Sequence, residues 1–298
     1  MRTGGHPTNV SVDLMQMGML EGNVRIVGLI GDDIFGYFIE SYLKSKGVKT
    51  FLRKTKEYET SKCVALVIRG EDRRFIAEPS ANEYLKVEDV EKRILENKPM
   101  IFYQASGVLG EYDFKIRHVL NIAKSINSIT ILDCVQPYGK DWTYIYPALS
   151  LTDIVHCNDV ELRQMTKFEN IEDGVKKLAE MGVKISVISL GAKGLYAYIK
   201  KERILIKQDA FKVDVIDPTG AGDALVAGII YKLLTKGKNV EDLNLNDIIE
   251  ILTYAQASGA ACLTEIGTTP GVTRDRIEKI MKSQGDIVFN SVKITKLL

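Results

Sequence analysis

The chain has 298 residues, with 40 basic and 39 acidic side chains, so its formal net charge is +1. This balance offers no general attraction for a polyanion, and we expect no nucleic-acid partner. No apolar run approaches the roughly 18 residues that a membrane-spanning helix needs, and the first residues lack the apolar core of a secretory signal. These features predict a cytoplasmic protein with no membrane partner.

The first predicted elements alternate between helix and strand. In chain order they are a helix, a strand, a second helix and a second strand, at 8–18, 24–30, 34–46 and 48–52. The first helix is predicted to begin just after Pro7, because proline fits the start of a helix. The second is predicted to end at Gly47, which suits a left-handed cap.

The next segment differs, because two short apolar runs at 63–68 and 74–77 flank the polar turn 69–72 with no helix between them. This pattern predicts a β-hairpin. From residue 100 onward strands and helices alternate again. Predicted strands lie at 100–103, 129–133, 154–157 and 185–190, and predicted helices at 114–125 and 172–181. Two further helices, at 221–234 and 245–263, are predicted to close the chain.

Strand–helix alternation is typical of an α/β fold with a doubly wound, mostly parallel sheet and helices on both faces. We predict one such domain over 1–298, with the hairpin near 60–78 as a small β-lid. The cysteines form no CxxC pair and lie in or beside apolar stretches, which predicts reduced core cysteines. The four are Cys63, Cys134, Cys157 and Cys262. The three histidines, His6, His118 and His156, show no metal-ligand spacing, which argues against a zinc site.

The strongest chemical signal is the segment 217–223, Asp-Pro-Thr-Gly-Ala-Gly-Asp, which lies between an apolar strand and an apolar helix. Gly220, Ala221 and Gly222 are small enough for a phosphate to approach the backbone. The unpaired N–H groups at a helix start form an anion site. Asp223 beside that site could accept a proton from an attacking hydroxyl. The alternative is an ordinary glycine-rich turn with an acidic residue in the first helical turn.

Other nucleotide-binding patterns are not found: the sequence has no GxxxxGK[ST], no strand-borne GxGxxG with a downstream acid, and no protein-kinase motif set. The segment 217–223 instead resembles the C-terminal signature of the ribokinase-like (PfkB) carbohydrate kinases. Four other segments are similar to motifs of that family, over nearly the whole chain. They are Gly4-Gly5 with Asn9, the stretch 28–36 from Gly28 to Gly36, Asn158 to Glu161, and 189–194 from Ser189 to Gly194.

The resemblance implies a role for each of these residues in ATP-dependent phosphorylation. Asp223 would be the general base, and Gly220, Ala221 and Gly222 would form the anion hole. Gly4, Gly5 and Asn9 would bind the substrate together with Asp223. Glu161 and Asn158 would organise Mg²⁺, through water, since Mg²⁺ needs few direct protein ligands.

The resemblance also implies residues that bind the nucleotide. These are Asn158, Ser189, Gly191, Gly194, Thr219, Gly220, Gly222 and Ala257. A K⁺ site near Asp217 and Thr219 is implied as well. For Glu161 the alternative is an exposed helix carboxylate, for 189–194 a tight turn between strands, and for the small residues around Ala257, Ser258 and Ala261 helix packing.

The N-terminus departs from the family pattern. Family members usually carry a first β-strand before the Gly-Gly motif, with an aspartate that binds substrate hydroxyls, whereas Gly4 follows Met1 by three residues. We expect the true reading frame to begin upstream; alternatively, the segment 287–298 supplies replacement β-structure. The family's Asp-Pro-Asn-x-Arg string is replaced by Asp-Cys-Val-Gln-Pro at 133–137, so a sugar-acid substrate bound through that arginine is not supported.

The sequence therefore predicts an ATP- and Mg²⁺-dependent carbohydrate kinase acting on a small sugar or sugar-like substrate. One alternative is a nucleoside kinase of the same family. Another is a catalytically silent protein that binds a sugar or nucleotide. The apolar strand in the hairpin further predicts a homodimer in which the lids pack on each other, the alternative being a hairpin folded onto its own domain.

Overall fold

In the computed structural model, residues 2–66 and 74–297 are described, and strands and helices largely follow the predicted order. The helices are α1 His6–Gln16, α2 Ile34–Ser45, α3 Val87–Asn97, α4 Ile116–Ser125, α5 Tyr146–Leu149, α6 Asp159–Thr166, α7 Ile171–Glu180, α8 Ala221–Lys236, α9 Leu245–Cys262 and α10 Arg274–Asn290. The strands are β1 Arg25–Gly31, β2 Lys49–Thr55, β3 Lys62–Leu66, β4 Arg74–Glu78, β5 Ile101–Ser106, β6 Ile129–Cys134, β7 Ile154–Asn158, β8 Ile185–Ser189, β9 Leu195–Ile199, β10 Ile204–Gln208 and β11 Lys293–Lys296.

The main sheet has seven strands in the order β11-β10-β9-β8-β7-β6-β5. Strands β5 to β8 run parallel, and β8 to β11 pair antiparallel. The helices cover both faces because neighbouring strand residues point to opposite sides of a sheet. Ile131 belongs to the core beneath α1, α8, α9 and α10, whereas Leu132 belongs to the core beneath α3, α4, α6 and α7. The predicted α/β fold is confirmed.

Two smaller sheets stand beside the main one. Strands β1 and β2 form a parallel pair, and β3 and β4 form the antiparallel hairpin predicted from the sequence. The predicted hairpin turn and the end of its first strand fall within 67–73, outside the described residues. Among the described strands β1 is not hydrogen-bonded to β5, and α1 packs against both.

Several predicted elements are corrected by the structure. Helix α1 begins at His6 rather than at Thr8, because Pro7 is accommodated in its first turn. The helix at 245–262 does not close the chain, since α10 follows it, capped by the Thr273 side chain. Residues 287–290 belong to α10, and β11 pairs with β10 at the far edge of the main sheet. The C-terminal segment therefore does not take a place beside β1 or β5, contrary to the alternative above.

The cysteines are free, and three of them are buried, as predicted; Cys63 on the hairpin is exposed, contrary to the prediction. The described helices include none that is long and apolar enough to cross a bilayer.

Candidate active site

The carboxyl ends of the parallel strands bring two predicted site residues, Asn158 and Ser189, to one edge of the main sheet, beside Asp133. Asp133 lies near the end of β6, Asn158 ends β7 and Ser189 ends β8. Parallel α/β sheets bind their ligands at this edge, just beyond the strands. The start of α8, with Asp223 in its first turn, lies close by, because Gly222 approaches the ring of His156 on β7.

The start of α8 has the features of an anion site. Gly220 adopts a positive φ of 87°, and a Cβ there would lie 2.7 Å from the carbonyl oxygen of Thr268. No side chain among the described residues caps this helix, and its first backbone hydrogen bond runs from Ala224 N–H to the Gly220 carbonyl. The N–H groups of Ala221, Gly222 and Asp223 precede that bond and have no partner within the helix. An anion could be held there by the backbone alone.

The loop before α8 is held by Asp217. Its Oδ1 accepts hydrogen bonds from Thr219 N–H and Oγ1, at 2.9 and 2.6 Å, and its Oδ2 accepts one from Gly267 N–H at 2.9 Å. These bonds fix the turn that leads into Gly220.

Asp223 is buried at the base of this site. Its Oδ2 accepts a 2.7 Å hydrogen bond from Asn9 Nδ2, and Asn9 Oδ1 accepts one from Thr268 Oγ1. Its Oδ1 is buried and has no hydrogen-bond partner in the described part of the chain, although His6 Nδ1 lies 2.9 Å away. The His6 N–H is aligned with Asp133 Oδ2 instead, also at 2.9 Å. The unpaired oxygen is therefore free to accept a hydrogen bond from a ligand.

Asn9 acts here as a partner of Asp223, which sequence reasoning did not specify. The two glycines that precede it leave room in front of this pair. A Cβ on Gly4 or Gly5 would meet nothing within 4 Å, and Gly5 has a φ of 89° at the start of α1. A small molecule could approach Asp223 across this open backbone.

Asn158 and Glu161 form a reciprocal capping box at the start of α6. Asn158 Oδ1 accepts from Glu161 N–H, and Glu161 Oε2 accepts from Asn158 N–H, both at 2.8 Å. Burial raises the pKa of Glu161 above its usual value, even though the bond from Asn158 opposes the shift. Asn158 Oδ1 and Glu161 Oε2 each accept a hydrogen bond within the cap, so Glu161 Oε1 is the oxygen left to bind a cation.

The turn at 189–194 connects β8 to β9. Ser189 Oγ lies 3.3 Å from His156 Nε2, and a Cβ on Gly191 would meet nothing within 4 Å. Gly194 is different, because a Cβ there would lie 1.9 Å from the carbonyl oxygen of Gln208. Any side chain at this position would clash with the backbone, so the turn requires glycine, in agreement with the tight-turn alternative.

Ala257 is fully buried in the core between α8 and α9. Its neighbours pack closely, since a Cβ on Gly228 would lie 2.7 Å from Ser258 Oγ. This position favours the helix-packing alternative for the small residues of α9.

The structure also brings His6 and Asp133, which the sequence did not predict as site residues, beside Asp223. His6, Asp133 and Asp223 place ligand atoms within 4.8 Å of one another. Asp133 Oδ1 contacts His156 Nδ1 at 2.8 Å, and its Oδ2 accepts from the Tyr103 hydroxyl at 2.8 Å. The sequence could have indicated Asp133, because it is an acid at the carboxyl end of a predicted parallel strand. Its histidine partners, however, lie 127 and 23 positions away in the sequence.

A cavity of about 790 Å³ lies at the opposite end of the sheet, where β8 begins and β9 ends. Its lining includes Lys184, Tyr198, Arg203, Leu243 and Leu297 and none of the motif residues. We place the chemistry at the carboxyl ends of the strands, where the unpaired Asp223 oxygen and the helix start meet.

The chain was compared with known protein families, curated proteins and solved structures. The family model of the pfkB family carbohydrate kinases matches residues 1–275. Fructokinase-1 of Zea mays is 25% identical over 281 residues, which cover 90% of this chain and 84% of that protein. The fructokinase of Vibrio alginolyticus is 27% identical over 274 residues, which cover 89% and 86%.

Solved structures with the same fold include sugar kinases. Ribokinase from Giardia lamblia superposes with a TM-score of 0.82 at 19% identity, covering 94% of this chain and 88% of that one. Arabidopsis thaliana ribokinase, solved with ribose and ATP, gives 0.75 at 25% identity, covering 94% and 87%. A Vibrio cholerae fructokinase double mutant, solved with fructose, ADP and potassium ion, gives 0.76 at 22% identity, covering 93% and 90%. The chain belongs to the pfkB family of carbohydrate kinases.

Proposed function

We propose that this carbohydrate kinase transfers the γ-phosphoryl group of ATP to a hydroxyl of a small sugar or sugar-like substrate, with Asp223 as the general base. The observation that carries the proposal is the buried Asp223 Oδ1, which has no hydrogen-bond partner among the described residues. Buried polar atoms are normally hydrogen-bonded, and Asp223 Oδ1 has the His6 ring 2.9 Å away without an aligned hydrogen bond, so it can still accept one from a ligand. A substrate hydroxyl would donate a hydrogen bond to this oxygen.

The arrangement supports a base-assisted transfer. Asn9 fixes one oxygen of the Asp223 carboxylate, so the other is held in one orientation, 2.9 Å from His6 Nδ1. As the hydroxyl oxygen attacks the γ-phosphorus, its proton passes to Asp223 Oδ1 and the bond from the γ-phosphorus to the ADP oxygen breaks. The N–H groups at the start of α8 would stabilise the charge that develops on the phosphate oxygens.

The donor side rests on the residues at the ends of β7 and β8. Glu161 would hold Mg²⁺ through water with Asn158 beside it, and the bound ion would neutralise phosphate charge. Thr219, Gly220 and Gly222 would meet the transferred phosphoryl group, and Ser189, Gly191 and Gly194 the rest of the nucleotide. A K⁺ ion beside Asp217 and Thr219 stays a prediction, which potassium stimulation of the rate would support.

The test is an ADP-release assay with Mg²⁺ and ATP against a panel of sugars, sugar acids, polyols and nucleosides. We expect saturable turnover with a sugar-like compound and a phosphate ester visible by ³¹P NMR. Preference for a nucleoside would point to the nucleoside-kinase alternative. Tight binding of a sugar by the folded protein with no ADP release above background would contradict the proposal and favour the silent binding protein.

A further inference from the structure

His6 occupies an unusual position between two buried acids. It is the first residue of α1, directly after the open glycines, and its Nδ1 lies 2.9 Å from both Asp133 Oδ2 and Asp223 Oδ1. One ring nitrogen therefore contacts the base assigned above and a second carboxylate on a different element. The side chain is 35% exposed, so the outer part of the ring reaches solvent or ligand.

Asp133 is a rigid anchor for this ring. It is nearly fully buried on β6, and the Tyr103 hydroxyl on β5 and the His156 ring on β7 bind its two oxygens. Because its partners lie on the two strands that flank β6 in the sheet, Asp133 cannot turn away without breaking both bonds. The position of the His6 ring is therefore set by the sheet rather than by the loop that precedes α1.

The His6 ring also lies between two negative charges. The Asp133 and Asp223 oxygens that face His6 lie within 4.8 Å of each other. Two carboxylates this close repel, and one of them tends to take up a proton. Although burial disfavours its charged form, the adjacent Asp223 and Asp133 raise the pKa of the His6 imidazole well above its usual value. Burial alone would raise the pKa of Asp133, but the flanking His6 and His156 lower it.

The groups that act on His6 come from several elements of the site. They are Asp133 on β6, His156 on β7, Glu161 on α6 and Asp223 on α8, and Tyr103 on β5 binds Asp133. The His6 ring contacts the carboxylates of both Asp133 and Asp223.

We propose that His6 is a positioning residue of the phosphoryl transfer: its protonated ring, anchored on Asp133, holds the Asp223 carboxylate in place and offsets the repulsion between the two acids. This inference rests on the proposed function, since it assigns a helper to the base. His6 leaves the lone pair of Asp223 Oδ1 available, because its N–H is directed to Asp133. It therefore acts on the base by charge and position and does not block it.

The kinetic test compares His6→Asn and His6→Ala with the unaltered chain on the best compound of the panel. Asparagine keeps a donor near the Nδ1 position without the charge, and alanine removes both. Without the positive charge, repulsion from Asp133 favours protonation of Asp223. The acid limb of the kcat–pH profile should therefore move to higher pH by roughly one to two units in both variants, with the KM for ATP little changed.

A second substitution distinguishes charge from simple damage. Asp133→Asn in the His6→Asn background removes the like charge, so the acid limb should return toward its original position. His118 is the matched control, because it lies on the surface in contact with Glu91. His118→Asn should leave the profile unchanged.

The outcomes separate this inference from the proposed function. If the unaltered chain phosphorylates a sugar but the His6→Asn profile superimposes on its profile, the role of His6 is wrong and the proposed function stands. If the folded chain transfers no phosphoryl group to any compound, both are wrong.

An NMR titration of the three histidines supplies a readout that needs no substrate. His6 should titrate above the usual value of a histidine, and Asp133→Asn should lower its midpoint. A His6 midpoint at or below about 6.5, the value of a free histidine, would overturn the inference.

Discussion

At the scale of single residues, Asp13 is the least satisfied side chain near the site. It lies on α1 one turn after Asn9 and is fully buried, and both carboxyl oxygens lack a hydrogen-bond partner among the described residues. Burial and, to a smaller extent, the nearby Asp223 raise the pKa of Asp13 well above its usual value. We infer that this carboxyl group destabilises the fold.

Asp13→Ala should therefore raise the free energy of unfolding by about 1–3 kcal/mol, the usual cost of an unsatisfied buried polar group. The folded state binds the Asp13 proton more tightly than the unfolded state, so the destabilisation grows as pH rises above the unfolded-state value near 3.8. The gain from the substitution should accordingly be larger at pH 8 than at pH 4, as measured by urea unfolding. Asp13→Asn keeps the shape and the polar atoms but cannot ionise, so it should gain little at pH 4 and only the pH-dependent part of the stability at pH 8. A loss of stability in Asp13→Ala would show that the carboxyl group has a stabilising partner.

Candidate residues that share one short motif could be predicted from the sequence, whereas contacts between distant positions could not. Asp223 and the glycines at the start of α8 stand in one short segment whose helix start defines their chemistry. His6 was discounted because its sequence spacing fitted no metal site, and its role appears only when β6 and α8 bring Asp133 and Asp223 beside it. Gly194 matches a family motif, but the structure shows that the turn itself requires glycine there, because a side chain would clash with the backbone.

At the scale of elements, the start of α6 combines a structural and a chemical task. Glu161→Gln keeps an acceptor for the Asn158 N–H, so the capping box and the helix should persist. The charge offered to Mg²⁺ is lost. We expect a higher Mg²⁺ concentration for half-maximal activity, with the thermal midpoint of unfolding within a few degrees of the original. An unchanged metal titration would remove Glu161 from the mechanism.

The hairpin β3–β4 carries an apolar pair on its surface. Val64 and Ile76 stand opposite each other in the strand register, and they are 57% and 64% exposed. Cross-strand apolar residues left in water form an association surface. We propose that the hairpin is the lid of the substrate site and that two copies of the chain pair through it.

Val64→Ser combined with Ile76→Ser should convert a dimer to a monomer at micromolar concentration, because the exposed pair no longer gains from burial. Sedimentation velocity measures the change in mass directly. The control is Ile287→Ser on α10, a similarly exposed isoleucine at 71%, which should leave the dimer intact. A monomer for the unaltered chain would contradict the lid pairing.

Elements with strong periodicity were predictable, and those shaped by tertiary contacts were not. Helix α10 was missed because charged residues surround its narrow buried stripe of Ile277, Ile280 and Val288. Strands β9 and β10 were missed because the prediction followed strand–helix alternation, which an antiparallel hairpin interrupts. The start of α1 was placed too late, and this error took His6 off the helix that positions it.

At the scale of the whole molecule, the architecture follows from two apolar cores on opposite faces of one sheet. Strands whose residues are buried on both faces predict a sheet between two helical layers, even when the neighbouring strands are unknown. The sequence does not reveal that β1 and β2 stand apart from the seven-stranded sheet, or that β11 joins its far edge. Those features depend on which strand edges meet in the folded chain, and periodicity along a segment carries no information about that.

The architecture serves the site by joining two groups of residues. Asp223 and its partners lie on α1, β6 and α8, and the residues proposed to bind the nucleotide lie at the ends of β7 and β8 and at the start of α6. We propose that Asp223 takes the proton of the attacking hydroxyl where these two groups meet.

The most direct measurement is the single-turnover rate of Asp223→Asn with ATP, Mg²⁺ and the preferred substrate, alongside ATP affinity by calorimetry. The amide cannot accept the proton, while the N–H groups at the start of α8 remain. We predict a rate on the order of 10²–10⁴-fold lower, the range for loss of a general base, with ATP affinity nearly unchanged. A rate equal to that of the unaltered chain would show that Asp223 is not the base.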